Sequence, residues 1–316
     1  MLETDDQRLD DNRTVQKFAW GVLGYTILVI LWGAFVRASG SGAGCGDHWP
    51  LCNGEVIPTD PTFNTIVEFG HRLTSGLALP AVFVLMWLAW RHFGPGSPVR
   101  KAAAASVFFM VVEAAIGAGL VLFEYVAYNA SIGRAVWMAA HLTNTLFLVA
   151  AITLTAWWAE GGATPRWRLS ARSVSLVATL IATVILSAGG AVTALGDTLI
   201  LGGGLSPETN AVVATLIAAR VFHPTMAFVV LAILGAAVWV NRRAPLQVTQ
   251  LGMGVLGLFV AQMALGALNV WLMAPIWMQI VHLLVTNLIW IGLVVYTTEA
   301  LAVSEAEPAR EPVLAG

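Results

Sequence analysis

Histidine is scarce in apolar sequence, yet four of the six in this 316-residue chain stand inside greasy runs, at repeating places. His71 and His223 lie near the start of the second and sixth of these runs. His141 and His282 lie near the start of the fourth and eighth. Neutral imidazole is a good iron ligand, and imidazoles facing each other across a helix bundle can hold a haem through both axial positions. Two pairs therefore point to two haem sites, one in each half of the chain. A single intramembrane histidine has a plainer explanation, a ring that bonds a carbonyl and packs. Polar groups in such places are costly and commonly functional, which favours the first reading for four of them together. Of the other two, His92 follows Arg91 at a run's edge and reads as solvated. His48 lies in a polar loop, where it either caps the site or does nothing chemical.

Charged residues cluster around the same places. Arg72 adjoins His71, Arg220 is one turn before His223, and Arg134 is two turns before His141; Arg37 closes the first run. A haem carries two propionates, and a planar guanidinium matches a carboxylate in bidentate fashion. The competing explanation is an arginine snorkelling to the interface. The two halves also differ. The first reads Glu68-Phe69-Gly70-His71-Arg72 and the second Arg220-Val221-Phe222-His223-Pro224. Residues three apart share a helix face, so Glu68 is expected over the same pocket as His71, where a carboxylate can take or give a proton. Pro224 removes a backbone donor and predicts a kink beside His223. Glu113 in the third run has Gln262 as its counterpart, and reads as a protonated carboxyl bonded to a neighbouring helix.

The elements that must position these groups are set by composition. The chain is 58% hydrophobic and 11% charged, with mean hydropathy +0.78. Apolar runs of eighteen or more residues read as membrane spans. Eight occur, at about 18–36, 73–91, 102–123, 135–159, 174–195, 221–240, 248–273 and 276–298. That repetition excludes a signal peptide followed by a soluble domain. The fold class is therefore an all-α integral membrane protein of eight transmembrane helices. Twelve of the sixteen Lys and Arg fall in the N-terminal tail, the loops after spans 2, 4 and 6, and the C-terminal tail. By the positive-inside rule that face and both termini are cytoplasmic. The loop GCGDHWPLCNGEVIP (44–58) is then outside, where the chain's two cysteines, Cys45 and Cys52, can stay oxidised. A small bridged loop suits their spacing. A metal site is the other reading, although two cysteines and His48 make an incomplete zinc set.

The chain also repeats. VILWGAFVRASGSG (29–42) resembles VILSAGGAVTALGD (184–197), VVEAAIGAGLVL (111–122) resembles VAQMALGALNVWL (260–272), and WMAAHLTN (137–144) resembles WMQIVHLLVTN (277–287). The matches keep their order, so two pseudo-symmetric four-helix bundles in the same orientation are expected. The boundaries are a disordered tail at 1–16, a first half at 17–160 with its external loop at 37–66, a linker at 161–172, a second half at 173–302 and a tail at 303–316. The segment GGLSPETN (203–210) reads as a second external loop.

GAFVRASGSGAGCGDHWPLCNGEVIP (33–58), EFGHR (68–72) and the later histidine segments resemble the haem A synthases, over about residues 18–300. The resemblance implies oxidation of a haem O methyl group to the formyl group of haem A by successive hydroxylation, for cytochrome c oxidase. It implies that His71 and His141 flank the substrate porphyrin, that His223 and His282 ligate a haem b cofactor, and that Glu68 is catalytically important. Cys45 and Cys52 match a cysteine pair thought to form a disulfide, and the chain lacks the second pair that some members carry. A bacterial-type plasma membrane is implied as location. Haem O synthase and an electron-transfer protein are implied as partners, and no nucleic acid is expected. The main rival is a bis-histidine cytochrome b, which leaves Glu68 and the cysteine loop without work; formyl-haem in expressing cells separates the two. A transporter comes third, because the histidines cluster near one face and not at the midplane.

Overall fold

The local sequence starts and stops each helix by recognisable means. Thr62, Ser97, Ser131, Ser170 and Asn210 each turn a side-chain oxygen onto a backbone N–H of the following turn, satisfying donors that a helix start leaves open. Pro98 occupies a first-turn position where its missing N–H costs nothing. The computed structural model describes residues 5–303. The expected C-terminal tail beyond Val303 lies outside them. The helices are α1 (Asp5–Ala38), α2 (Phe63–His92), α3 (Pro98–Leu122), α4 (Ile132–Ala159), α5 (Ala171–Asp197), α6 (Ala211–Ala219), α7 (Phe222–Val240), α8 (Leu246–Trp271) and α9 (Ile276–Ala302). A single π-helical turn, Thr198–Gly202, prolongs α5.

Taking α5 with its π turn and α6 with α7, eight apolar segments of 25 to 32 residues result. At 1.5 Å per residue each exceeds the roughly 30 Å hydrocarbon thickness of a bilayer. The break between α6 and α7 falls at Arg220 and Val221, just ahead of Pro224. It appears where the proline ring would clash with the carbonyl four residues earlier, so the expected kink is present.

Several boundaries differ from those read in sequence. Helix α1 begins at Asp5, not after a tail ending at 16, and Val15 and Ala19 are fully buried in the same core cluster as Val22 and Leu23. Helix α2 begins ten residues before the expected span. The polar stretch FNTIVEFGHR spoils an apolar window without opposing helix. His71 therefore sits more than two turns inside α2 rather than at its mouth. The external loop shortens accordingly, to residues 39–62.

Helix α1 packs on α2 and α4, α2 on α3, and α3 on α4. Farther along, α5 packs on α7 and α9, α7 on α8, and α8 on α9. Helices α4 and α9 touch each other, and each also touches both α1 and α5. Between apolar helices in lipid the hydrophobic effect gives little, so close packing and hydrogen bonds must hold the contacts. The Trp290 indole N–H of α9 donates to the Leu146 carbonyl of α4 at 2.7 Å. Buried Thr153, Thr155, Thr179 and Thr183 return their hydroxyls to carbonyls one turn back, which satisfies those four groups within their own helices.

Candidate functional site

All four histidines lie toward the end of the bundle that carries the cysteine loop, and each is seated over a glycine of the preceding span. A Cβ placed on Gly33 of α1 would stand 2.9 Å from the His71 ring, and one on Gly190 of α5 would stand 2.9 Å from the His223 ring. Gly266 of α8 faces His282 at 3.2 Å, and Gly117 of α3 faces His141 at 4.0 Å in the same sense. The first two separations are closer than real Cβ contacts, so those rings lie where a side chain would otherwise be. Sequence reading had not singled out these glycines.

The structure brings His223 and His282 together, with ring centroids 6.4 Å apart and planes at 69°. Metal–imidazole bonds run about 2.0–2.1 Å, and each nitrogen lies about 1 Å from its ring centre. Two rings sharing one ion thus stand roughly 6 Å apart. The second pair is spaced so that both rings would reach one ion. The Nδ1 atoms of His71, His141 and His282 are buried without an aligned hydrogen-bond partner, whereas Nδ1 of His223 is 3.1 Å from the Leu186 carbonyl. Half-buried rings with uncommitted nitrogens, seated over glycine, suit a flat ligand.

Around them the charged groups are mostly engaged with protein. Glu68 is only 4% exposed. Its Oε2 accepts the Cys45 N–H at 2.8 Å, and its Oε1 accepts both Nη2 at 2.6 Å and Nε at 3.1 Å of Arg72, one turn on. Arg72 Nη1 also donates to the carbonyls of His48 at 2.5 Å and Leu51 at 2.7 Å. Cys45 and Cys52 are joined in a disulfide and are themselves buried, so neither thiolate is left for a metal. The loop, Arg72 and Glu68 thus form one hydrogen-bonded unit. Glu68 is three residues before His71 on α2, and its recorded hydrogen bonds go to Cys45 and Arg72.

Arg37 crosses from α1 to the second half of the chain. It donates to the Ala194 carbonyl at 2.7 Å, the Thr198 hydroxyl at 2.6 Å and Gln279 Oε1 at 2.8 Å. The carbonyl-rich end of α5 attracts a guanidinium there. Arg220 is paired with Asp197 at the same helix end. Arg134 is 2% exposed, donates to the Asn129 carbonyl at 3.0 Å, and keeps Nε without a partner, as does Arg220. Glu113 accepts from Asn144 Nδ2 at 2.6 Å and from the Thr145 hydroxyl, both on α4, so its bond to a neighbouring helix is present, with both oxygens accepting as in an ionised carboxylate and not in the expected protonated form. Its counterpart Gln262 donates to Thr286 of α9 and to the His282 carbonyl, each at 2.7 Å.

Comparison with known proteins decides the lineage. A family model for COX15-CtaA, described as cytochrome oxidase assembly protein, matches residues 16–294. The chain belongs to this family. A Thermus thermophilus protein named protoheme IX farnesyltransferase is 47% identical over 295 residues, covering 90% of this chain and 48% of that relative. The chain thus spans about half the length of such relatives. Haem A synthases of Alkalihalophilus pseudofirmus and Halalkalibacterium halodurans are 41% and 42% identical over 97 residues, each covering 31% of this chain and 33% of the relative.

Asp197 and Gln279, which hold Arg220 and Arg37, went unsingled in the sequence because a lone acid or amide at a span end is ordinarily solvated. Their signal was the arginine each had to satisfy.

Proposed function

We propose that this assembly-family chain is a haem A synthase, oxidising the methyl group of haem O to the formyl group of haem A. The observation that carries it is the pair of histidine sites, uncommitted at most of their ring nitrogens and seated over glycine. In this reading the chain is two pseudo-symmetric four-helix halves, α1–α4 and α5–α9, with both termini cytoplasmic and the disulfide loop on the outer face. His223 and His282 would hold haem b by its iron, and His71 and His141 would flank the substrate haem O. A bound haem supplies one-electron redox chemistry that no side chain here offers.

The protein's own residues do the rest. Glycine seats let the rings lie close to the adjoining helix and fix their orientation. Arg134 and Arg220, each with a buried Nε that lacks a partner, would offer guanidiniums to the propionates. Arg37 and Arg72, already held by protein, brace the site. Glu68, walled off by the disulfide loop, can hold a proton where bulk water does not reach. Lipid-facing helices leave room for a farnesyl tail in hydrocarbon. A protoheme farnesyltransferase makes the farnesylated haem that such a site consumes, and supports the expectation of a haem O synthase as partner.

The test is pigment analysis of cells that make haem O and express this chain. Formyl-haem is expected. Unaltered haem O beside a red protein would favour the bis-histidine cytochrome b, for which the 6.4 Å pair speaks equally well.

A further inference from the structure

The four imidazoles are not backed alike. Among the described residues, His71 and His282 have no acceptor at Nδ1, and His223 has a neutral carbonyl. His141 has a carboxylate: Nδ1 lies 3.3 Å from Glu113 Oε1. The two are within reach but not aligned for a hydrogen bond. Glu113 is held from α4 on both of its oxygens. Asn144 Nδ2 grips Oε2 at 2.6 Å while also donating to the Phe109 carbonyl at 2.9 Å, and the Thr145 hydroxyl grips Oε1. A carboxylate has about four lone-pair sites, so a third donor is accommodated. In the second half Gln262 turns its amide nitrogen toward α9, and its Oε1 makes no bond.

We propose that Glu113 is the positioning residue for His141. Its carboxylate accepts the Nδ1–H, fixes the tautomer that leaves Nε2 for iron, and makes that imidazole a stronger electron donor than its three fellows. This rests on the reading that His141 faces the substrate haem. Ligating histidines commonly donate their second N–H to such a partner, which raises ligand basicity. An electron-rich axial ligand stabilises the ferric state. The arrangement makes the first-half site the more reducing of the two, a difference that follows from Glu113 standing where the second half has Gln262.

The experiment is a potentiometric titration, followed by absorbance, of full-length purified protein loaded with haem O under nitrogen. Wild type is compared with Glu113→Gln, Glu113→Asp and His141→Ala at measured haem content. For Glu113→Gln the ferric-to-ferrous ratio of one haem component should fall about tenfold at fixed poise, 59 mV for a one-electron couple, with the other component unmoved. Glu113→Asp, whose carboxylate retreats from the ring, should shift the same way by less, and it stands in if the glutamine variant does not accumulate. Titrations superimposable on wild type, or loss of haem with no shift in what remains, would overturn the proposal. If His141→Ala also leaves the titration unchanged, the haem reading of that site fails, and not the role of Glu113 alone.

Discussion

Gly190→Ala tests the seat beneath His223 with the smallest change available. The added methyl would stand 2.9 Å from the ring's Cε1 and 3.3 Å from Nδ1. Ordinary carbon contacts begin about 0.5 Å farther out. The ring or the α5–α7 pair must move by that much, and Nδ1 must leave the Leu186 carbonyl. Overpacking a fitted site costs about 1–3 kcal/mol. If this falls on ligand geometry, haem affinity at the second pair drops by roughly 5- to 150-fold. The paired control is Gly235→Ala on α7, where an added Cβ meets nothing within 4 Å, and where alanine should favour the helix by about 1 kcal/mol. Haem per protein after purification and serial dilution gives the readout. Equal retention by the two variants would refute the idea that glycine is needed for the ring.

Other substitutions address the remaining parts. Glu68→Gln should leave both haems bound but stop or stall methyl oxidation. Removing one partner from its buried, hydrogen-bonded pair with Arg72 should also cost about 3–5 kcal/mol, read as a fall in Tm; full turnover would remove Glu68 from the chemistry. Cys45→Ser opens a loop whose cysteines are 7 residues apart, and should cost about 2–3 kcal/mol by lost chain constraint. Limited proteolysis of residues 39–62 should quicken, and unchanged cleavage would show that Arg72 alone holds the loop. Arg37→Met leaves the Thr198 hydroxyl and Gln279 without their donor, at about 1.5–3 kcal/mol per charged bond. Its melting transition should drop, and a melting curve like that of wild type would mean the crossing bonds carry no net stability.

The histidines were legible in sequence because imidazole is conspicuous in hydrocarbon-length runs and recurred in order. The eight spans were legible for the same reason, since length and hydropathy alone define them. Helix starts were not. Thr62 and Asn210 open helices through polar turns that hydropathy counts as loop, which buried His71 two turns deeper than its sequence position indicated. Glycine seats were illegible because glycine is frequent in membrane helices, and only register shows which ones face a ring. The sense of Glu68 was hidden for another reason. Helical spacing places it near His71 and one turn from Arg72, but its other partner, the Cys45 N–H, comes from a loop whose fold no periodicity encodes.

The central claim is a division of labour between the two histidine pairs, and haem extraction with mass analysis tests it most directly. Purified wild type, His71→Ala and His223→Ala should be compared after expression with haem O available. The account predicts that His223→Ala loses haem b while His71→Ala keeps it but loses haem O and its oxidised products. Equal loss of the same pigment from both variants, or no loss from either, would contradict it.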